Sequence, residues 1–227
     1  MARLIYSYAS HPRHAKSRGF RTASVLAIGA HPDDVEVGCF GTLLKHVDAG
    51  DKVKVIITTR GGVRNRPWKM VLEEIEEAQH CLGSKFTLLD NPNGRYQMTK
   101  KTVSELDKIV ERENADTIYT VWHGDSHQDH KMTFRNVLAA ARAKQVSNLY
   151  CFELTDYSYR SEVVFTPRKF VDITNYLDTK IKSVAAYRSY FSEQDLEAIR
   201  GLARHRGGAC GVKYAEGFEI VFEMWRN

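Results

Sequence analysis

The sequence predicts an α/β fold, a single domain built on one mostly parallel sheet with helices on both faces. Three observations predict it. Short, nearly continuous apolar runs of strand length recur along the chain, as strands buried on both faces require. Segments with apolar residues at helical spacing lie between them. At 227 residues, 43% hydrophobic and 27% charged, the chain is long enough for a sizeable core and has the balance of an ordinary globular domain.

The elements follow in order. Ser24-Val-Leu-Ala-Ile-Gly29 is the first apolar run, and similar runs span 53–58, 85–89, 117–121 and 148–152. Between them, Leu72, Ile75 and Leu82 mark one helical segment, Val103, Leu106 and Val110 a second, and Phe134, Val137, Leu138 and Ala141 a third. This alternation is the pattern of a Rossmann-like sheet. Beyond Ile173 the pattern loosens: 175–187 reads as a further helix, 219–224 as a closing strand, and the Gly-rich stretch around Arg204 and Arg206 as a loop. In doubly wound sheets ligands bind beyond the carboxyl ends of the strands. The loops to read are therefore those after Gly29, Thr59, Leu89 and Val121.

Composition removes several function classes. A formal charge of +5 spread along the chain gives no basic stripe for nucleic acid. No apolar run is long enough to span a bilayer. Cys39, Cys81, Cys151 and Cys210 form no Cys-x-x-Cys pair, so neither a thiolate metal site nor a disulfide framework is indicated, and a cytoplasmic setting fits. Residues 1–22 carry five basic and no acidic side chains and read as an N-terminal extension, either padding or an organelle-targeting segment; residues 23–227 form the domain.

Two loops concentrate chemistry. The first reads Ala30-His31-Pro32-Asp33-Asp34-Val35-Glu36, where Pro32 restrains the backbone and an imidazole stands beside two carboxylates. One Asp before a helix is an ordinary N-cap, but a His and two adjacent carboxylates exceed that need. The other reads Trp122-His123-Gly124-Asp125-Ser126-His127-Gln128-Asp129-His130. Two such loops at one edge of a sheet can converge on a divalent cation. Imidazole and carboxylate without thiolate suit zinc, with a fourth position open for water. Iron(II) is the other candidate, since two histidines and a carboxylate also describe a non-haem iron triad.

The run His31-Pro32-Asp33-Asp34-Val35-Glu36-Val37-Gly38, then Gly41-Thr42-Leu43 and His127-Gln128-Asp129-His130, resembles the LmbE-like (PIG-L) N-acetylglucosaminyl deacetylases. Phe170-Val-Asp-Ile-Thr174 and Tyr214-Ala-Glu-Gly-Phe218 extend the resemblance. It implies a zinc-dependent hydrolase that removes the N-acetyl group from an amino sugar. His31, Asp34 and His130 would bind the metal, Asp33 would take the proton of the activated water, and His127 would stabilise the oxyanion as imidazolium. Asp129 would either orient an imidazole or cap the helix that follows.

Substrate contacts are where the sequence departs from this family. Phe40 stands where glycine is common, and Asn93-Gly94 where Asp-Gly is common, in a loop implied to hold sugar hydroxyls. The loop Arg60-Gly-Gly-Val-Arg64-Asn-Arg66 places Arg64 and Arg66 either on an anionic part of the substrate or in solvent. A zinc amidase acting on a non-sugar acylamine and a non-catalytic sugar- or nucleotide-binding module are the alternative functions. The expected partner is a small amino-sugar substrate, with no nucleic acid and a homo-oligomer allowed.

Overall fold

The structure, a computed structural model, describes residues 22–61, 67–83, 86–143, 145–155, 161, 163–188 and 190–224. Seven strands form one sheet: β1 (Ser24–Gly29), β2 (Lys52–Thr59), β3 (Thr87–Asn91), β4 (Thr117–Val121), β5 (Asn148–Phe152), β6 (Lys169–Asp172) and β7 (Ala215–Glu223). Their order is β3-β2-β1-β4-β5-β7-β6. The first five run parallel, while β7 pairs antiparallel with both β5 and β6.

Strand β1 lies in the middle of the parallel part and shows why its sequence is nearly all apolar. Val25 and Ala27 pack into one core layer, Leu26 and Ile28 into the other, and all four are at most 1% exposed. Because side chains alternate across a strand, burial on both faces leaves no position for a polar residue. The first layer is covered by α1 (Asp34–Ala49), α2 (Trp68–Gln79), α5 (Leu177–Ala185) and α6 (Glu193–Cys210), the second by α3 (Lys100–Arg112) and α4 (Gln128–Ala140).

Helix α1 follows β1 directly and approaches the sheet closely. A Cβ on Gly38 would lie 2.0 Å from a ring carbon of Phe152, and one on Gly41 would lie 2.8 Å from Ile173. The same stretch is clamped to β7. The Glu216 carboxylate accepts hydrogen bonds from the Gly41 and Thr42 amides (3.0 and 2.7 Å), the Thr42 hydroxyl (2.6 Å) and Lys180 Nζ (2.5 Å). Lys180 and Glu216 are each 3% exposed, so their charges meet each other rather than water. Phe40 points into the core and takes no part in the loop chemistry.

The C-terminal third differs from expectation. The Gly-rich stretch with Arg204 and Arg206 is not a loop but the second half of α6, and Arg206 forms a two-pronged ion pair with Glu153 (2.6 and 2.8 Å). Gly207 permits this packing, because a Cβ there would lie 2.8 Å from the Lys213 backbone. Strand β6 carried no clear signal, the closing strand begins at Ala215 rather than 219, and α5 is shorter than 175–187. Among the described residues no helix is long and apolar enough to cross a membrane, and all four cysteines are free thiols.

Candidate metal centre

The site forms where the sheet changes direction of growth. β1 and β4 are adjacent and parallel, and each is followed by a helix that covers the opposite face, α1 on one side and α4 on the other. The loops beyond their carboxyl ends therefore diverge to opposite faces and leave the crevice in which open α/β sheets bind ligands. His31 leaves β1 at this point and His130 enters α4.

The loop after β1 is held by its own carboxylate. Asp34 Oδ2 accepts the amide hydrogens of Ala30 (2.7 Å) and His31 (2.9 Å), which turns Oδ1 towards His130 Nε2 at 3.4 Å. Asp33, one residue earlier, has φ 109° and ψ −31°, a conformation that side chains with a Cβ rarely adopt. It is the cost of placing two consecutive carboxylates at one spot.

Two imidazoles and a carboxylate converge. His31 Nδ1 is 3.1 Å from His130 Nε2, Asp34 Oδ1 is 3.4 Å from His130 Nε2, and Asp34 Oδ2, the oxygen held by the amides, is 3.8 Å from His31 Nδ1. Ligand atoms of a tetrahedral zinc site, with bonds of about 2.0–2.1 Å, stand roughly 3.3 Å apart. The 3.1 and 3.4 Å separations at His130 Nε2 lie close to that value. His127 also belongs here: one nitrogen each from His31, His127 and His130 lie within 4.8 Å of one another.

Behind the donors stand two further carboxylates. The far nitrogen of His31, Nε2, is 3.2 Å from Asp129 Oδ2, and the far nitrogen of His130, Nδ1, is 2.9 Å from Asp125 Oδ2. Asp125 also accepts the His127 amide through Oδ1 at 2.7 Å. Asp129 is not the cap of α4, the role left open by the sequence. The helix begins at Gln128 and is capped by His127, whose Nδ1 accepts the Asp129 amide (3.1 Å). The Asp129 carboxylate instead reaches His31 and accepts the amides of Gly94 (2.6 Å) and Tyr96 (3.3 Å).

The electrostatics call for a cation. Burial alone would lower His31, but hydrogen bonds to Asp129 and Asp34 outweigh it and raise the imidazole to about 10. His130 is likewise raised to about 9, burial being overridden by the Asp34 charge and the Asp125 contact. Yet two protonated nitrogens facing each other at 3.1 Å repel. One divalent cation supplies the same charge without that clash, so the donor set fits a metal. Asp34 is driven well below the carboxylate range despite its burial, by His130 and His31. Asp33 is pushed well above it by burial and by the Asp34 charge. His127 is lowered by burial, then by His31 and His130.

The proposed substrate contacts are not gathered in the same way. Asn93 is exposed on the loop whose Gly94 amide Asp129 holds. Arg64 and Arg66 lie outside the described residues. Asp125, by contrast, had no assignment from sequence; its only signal was membership of a nine-residue loop dense in His and Asp.

The pattern of the family described as PIG-L, GlcNAc-PI de-N-acetylase, matches residues 26–141, which include both loops. The chain belongs to this family. Diacetylchitobiose deacetylase of Thermococcus kodakarensis is 25% identical over 224 residues, covering 87% of this chain and 82% of that protein. Among solved structures, the conserved protein TT1542 of Thermus thermophilus superposes with a TM-score of 0.79 at 26% identity, over 91% of this chain and 98% of that one. The 4-carboxy-2-hydroxymuconate hydratase GalB of Pseudomonas putida reaches the same TM-score at 20% identity, over 91% of this chain and 99% of that one. That last likeness concerns the fold alone, which hosts more than one reaction. Family and deacetylase relatives together make this member of the PIG-L family an N-deacetylase.

Proposed function

We propose that the chain removes the N-acetyl group from a GlcNAc-type amino sugar with a zinc ion held by His31, Asp34 and His130. The observation that carries this is the pair of imidazoles whose near nitrogens meet at 3.1 Å while both far nitrogens rest on carboxylates. Carboxylate–histidine–metal relays have this form. Asp34 is preferred to His127 as third ligand because its Oδ1 stands 3.4 Å from His130 Nε2 and its charge offsets that of the ion.

When bound, the ion supplies a Lewis acid that acidifies a water and polarises the acetamide carbonyl. Asp33 is the general base: with a cation offsetting the Asp34 charge that raises it, its carboxylate takes a proton from water and returns it to the leaving amine. His127 is a hydrogen-bond donor to the carbonyl oxygen as negative charge builds there. Its Nδ1 accepts the Asp129 amide, so a neutral ring carries its proton on Nε2. The imidazolium form implied by family resemblance is therefore not required. Acetate and a free amino sugar are the products, and four free thiols agree with a reducing, cytoplasmic setting.

Metal analysis combined with acetate release from a panel of N-acetylated sugars and non-sugar amides tests the reading. Asp33→Asn is expected to keep the metal and lose most turnover, about 10²–10⁴-fold. His130→Ala is expected to lose the metal. A protein that takes up no zinc after metal-free preparation and reconstitution, or variants that both keep near-normal activity, would refute the assignment.

A further inference from the structure

Asp125 is 1% exposed, and each of its oxygens has a separate task. Oδ1 accepts the His127 amide at 2.7 Å, and Oδ2 lies 2.9 Å from His130 Nδ1. A turn-stabilising role, common for Asp two residues before an amide, accounts for Oδ1 alone. Burying a carboxylate costs several kcal/mol unless it is paired, and Oδ2 has the His130 imidazole beside it. The loop is built to deliver it: Gly124, where a Cβ would lie 2.5 Å from the Trp122 ring, lets the backbone pack tightly just before Asp125.

A carboxylate can only accept, so a proton on Nδ1 is the one that its 2.9 Å approach to His130 favours. A neutral imidazole has one N–H, and Nε2 is then left with its lone pair. That nitrogen is the one facing His31 Nδ1 at 3.1 Å and Asp34 Oδ1 at 3.4 Å. We propose that Asp125 is a positioning residue that selects the metal-binding tautomer of His130 and, through its second oxygen, fixes the backbone of His127 in register with it. One carboxylate thus sets a metal ligand and the oxyanion donor together. The inference rests on the metal-centre reading above.

Asp125→Asn separates positioning from packing, because it keeps the volume and one acceptor. An amide cannot accept on both sides. Either its NH₂ group faces His130 Nδ1 and drives the ring proton to Nε2, or it faces the His127 amide and loses that bond. The metal-free variant is expected to melt close to wild type while its zinc affinity, measured by competition with a chromophoric chelator, falls about 10–100-fold. A cobalt(II)-loaded sample is expected to show an altered visible spectrum. A wild-type-only measurement stands beside this in case the variant does not fold. In ¹⁵N-histidine-labelled protein loaded with ¹¹³Cd, His130 is expected to show metal coupling at Nε2 and a slowly exchanging proton on Nδ1. Unchanged zinc affinity in Asp125→Asn, or coupling at Nδ1, overturns the role of Asp125 with the metal centre intact. Wild type that binds neither ion overturns the metal-centre reading itself.

Discussion

Replacing Asp33 by glycine should make the protein more stable and inactive. Its φ of 109° lies where a Cβ is strained and glycine is not. Such strain costs about 1–3 kcal/mol, and the extra freedom of an unfolded glycine takes back about 0.5–1 kcal/mol. The difference lies between about 0 and 2.5 kcal/mol, and about 1–2 kcal/mol is its middle. The substitution also removes the carboxyl that Asp34 repels, which adds to the gain in metal-free protein. For a domain of this size each kcal/mol moves Tm by about 2–4 °C, so the expected rise is about 2–8 °C. Asp33→Asn removes the repulsion and keeps the strain, so it should fall between wild type and Asp33→Gly. The assay is thermal unfolding of the three metal-free proteins, with metal content and acetate release measured on the reconstituted samples. A Tm for Asp33→Gly at or below wild type would show that the conformation is not strained, and the link between strain and catalysis would be lost.

Lys180→Met strands the buried Glu216 charge, with three donors remaining, and should cost about 3–5 kcal/mol. Adding Glu216→Gln should recover part of the loss, and a double variant no more stable than the single would refute the clamp. Gly38→Ala drives a methyl into the Phe152 ring and should cost about 1–3 kcal/mol in urea unfolding, partly relieved by Phe152→Leu. Asp195 is held below the usual carboxylate range by hydrogen bonds from Ser192 Oγ (2.6 Å) and the Ser192 amide (2.7 Å) at the start of α6. A depressed folded value means this stabilisation is present above the unfolded value and is lost as pH falls through the folded one. Ser192→Ala should raise the Asp195 midpoint in an NMR titration, and its deficit in Tm should shrink below about pH 4.

The parallel part of the fold was legible because its strands are buried twice. Ser24–Gly29, Thr117–Val121 and Asn148–Phe152 appear at their expected bounds, since no surface position interrupts their apolar runs. The C-terminal third was not legible, for a different reason in each element. Gly201, Gly207 and Gly208 weaken the helical signal of α6, which forms because Gly207 fits against the Lys213 backbone. β6 is four residues long, takes its definition from pairing with β7, and has no fully buried residue. In the site, the His- and Asp-rich loops announced a cation, but not which carboxylate stands behind which imidazole. Asp129 lies next to His130 in sequence and serves His31, 98 positions away. Asp125 reads like any polar loop residue until its burial is known.

Asp129 joins parts of the molecule that have different duties. One of its oxygens touches His31 and the Gly94 amide together, and the other holds the Tyr96 amide. The loop bearing Asn93 is thereby tethered to a metal-facing imidazole through a single carboxylate. On the proposed reading of the site, a change in that loop pulls on the same atoms that aim His31. Substitutions at residues 92–96 are then expected to alter the hold on the ion, a coupling that metal titration of loop variants would read.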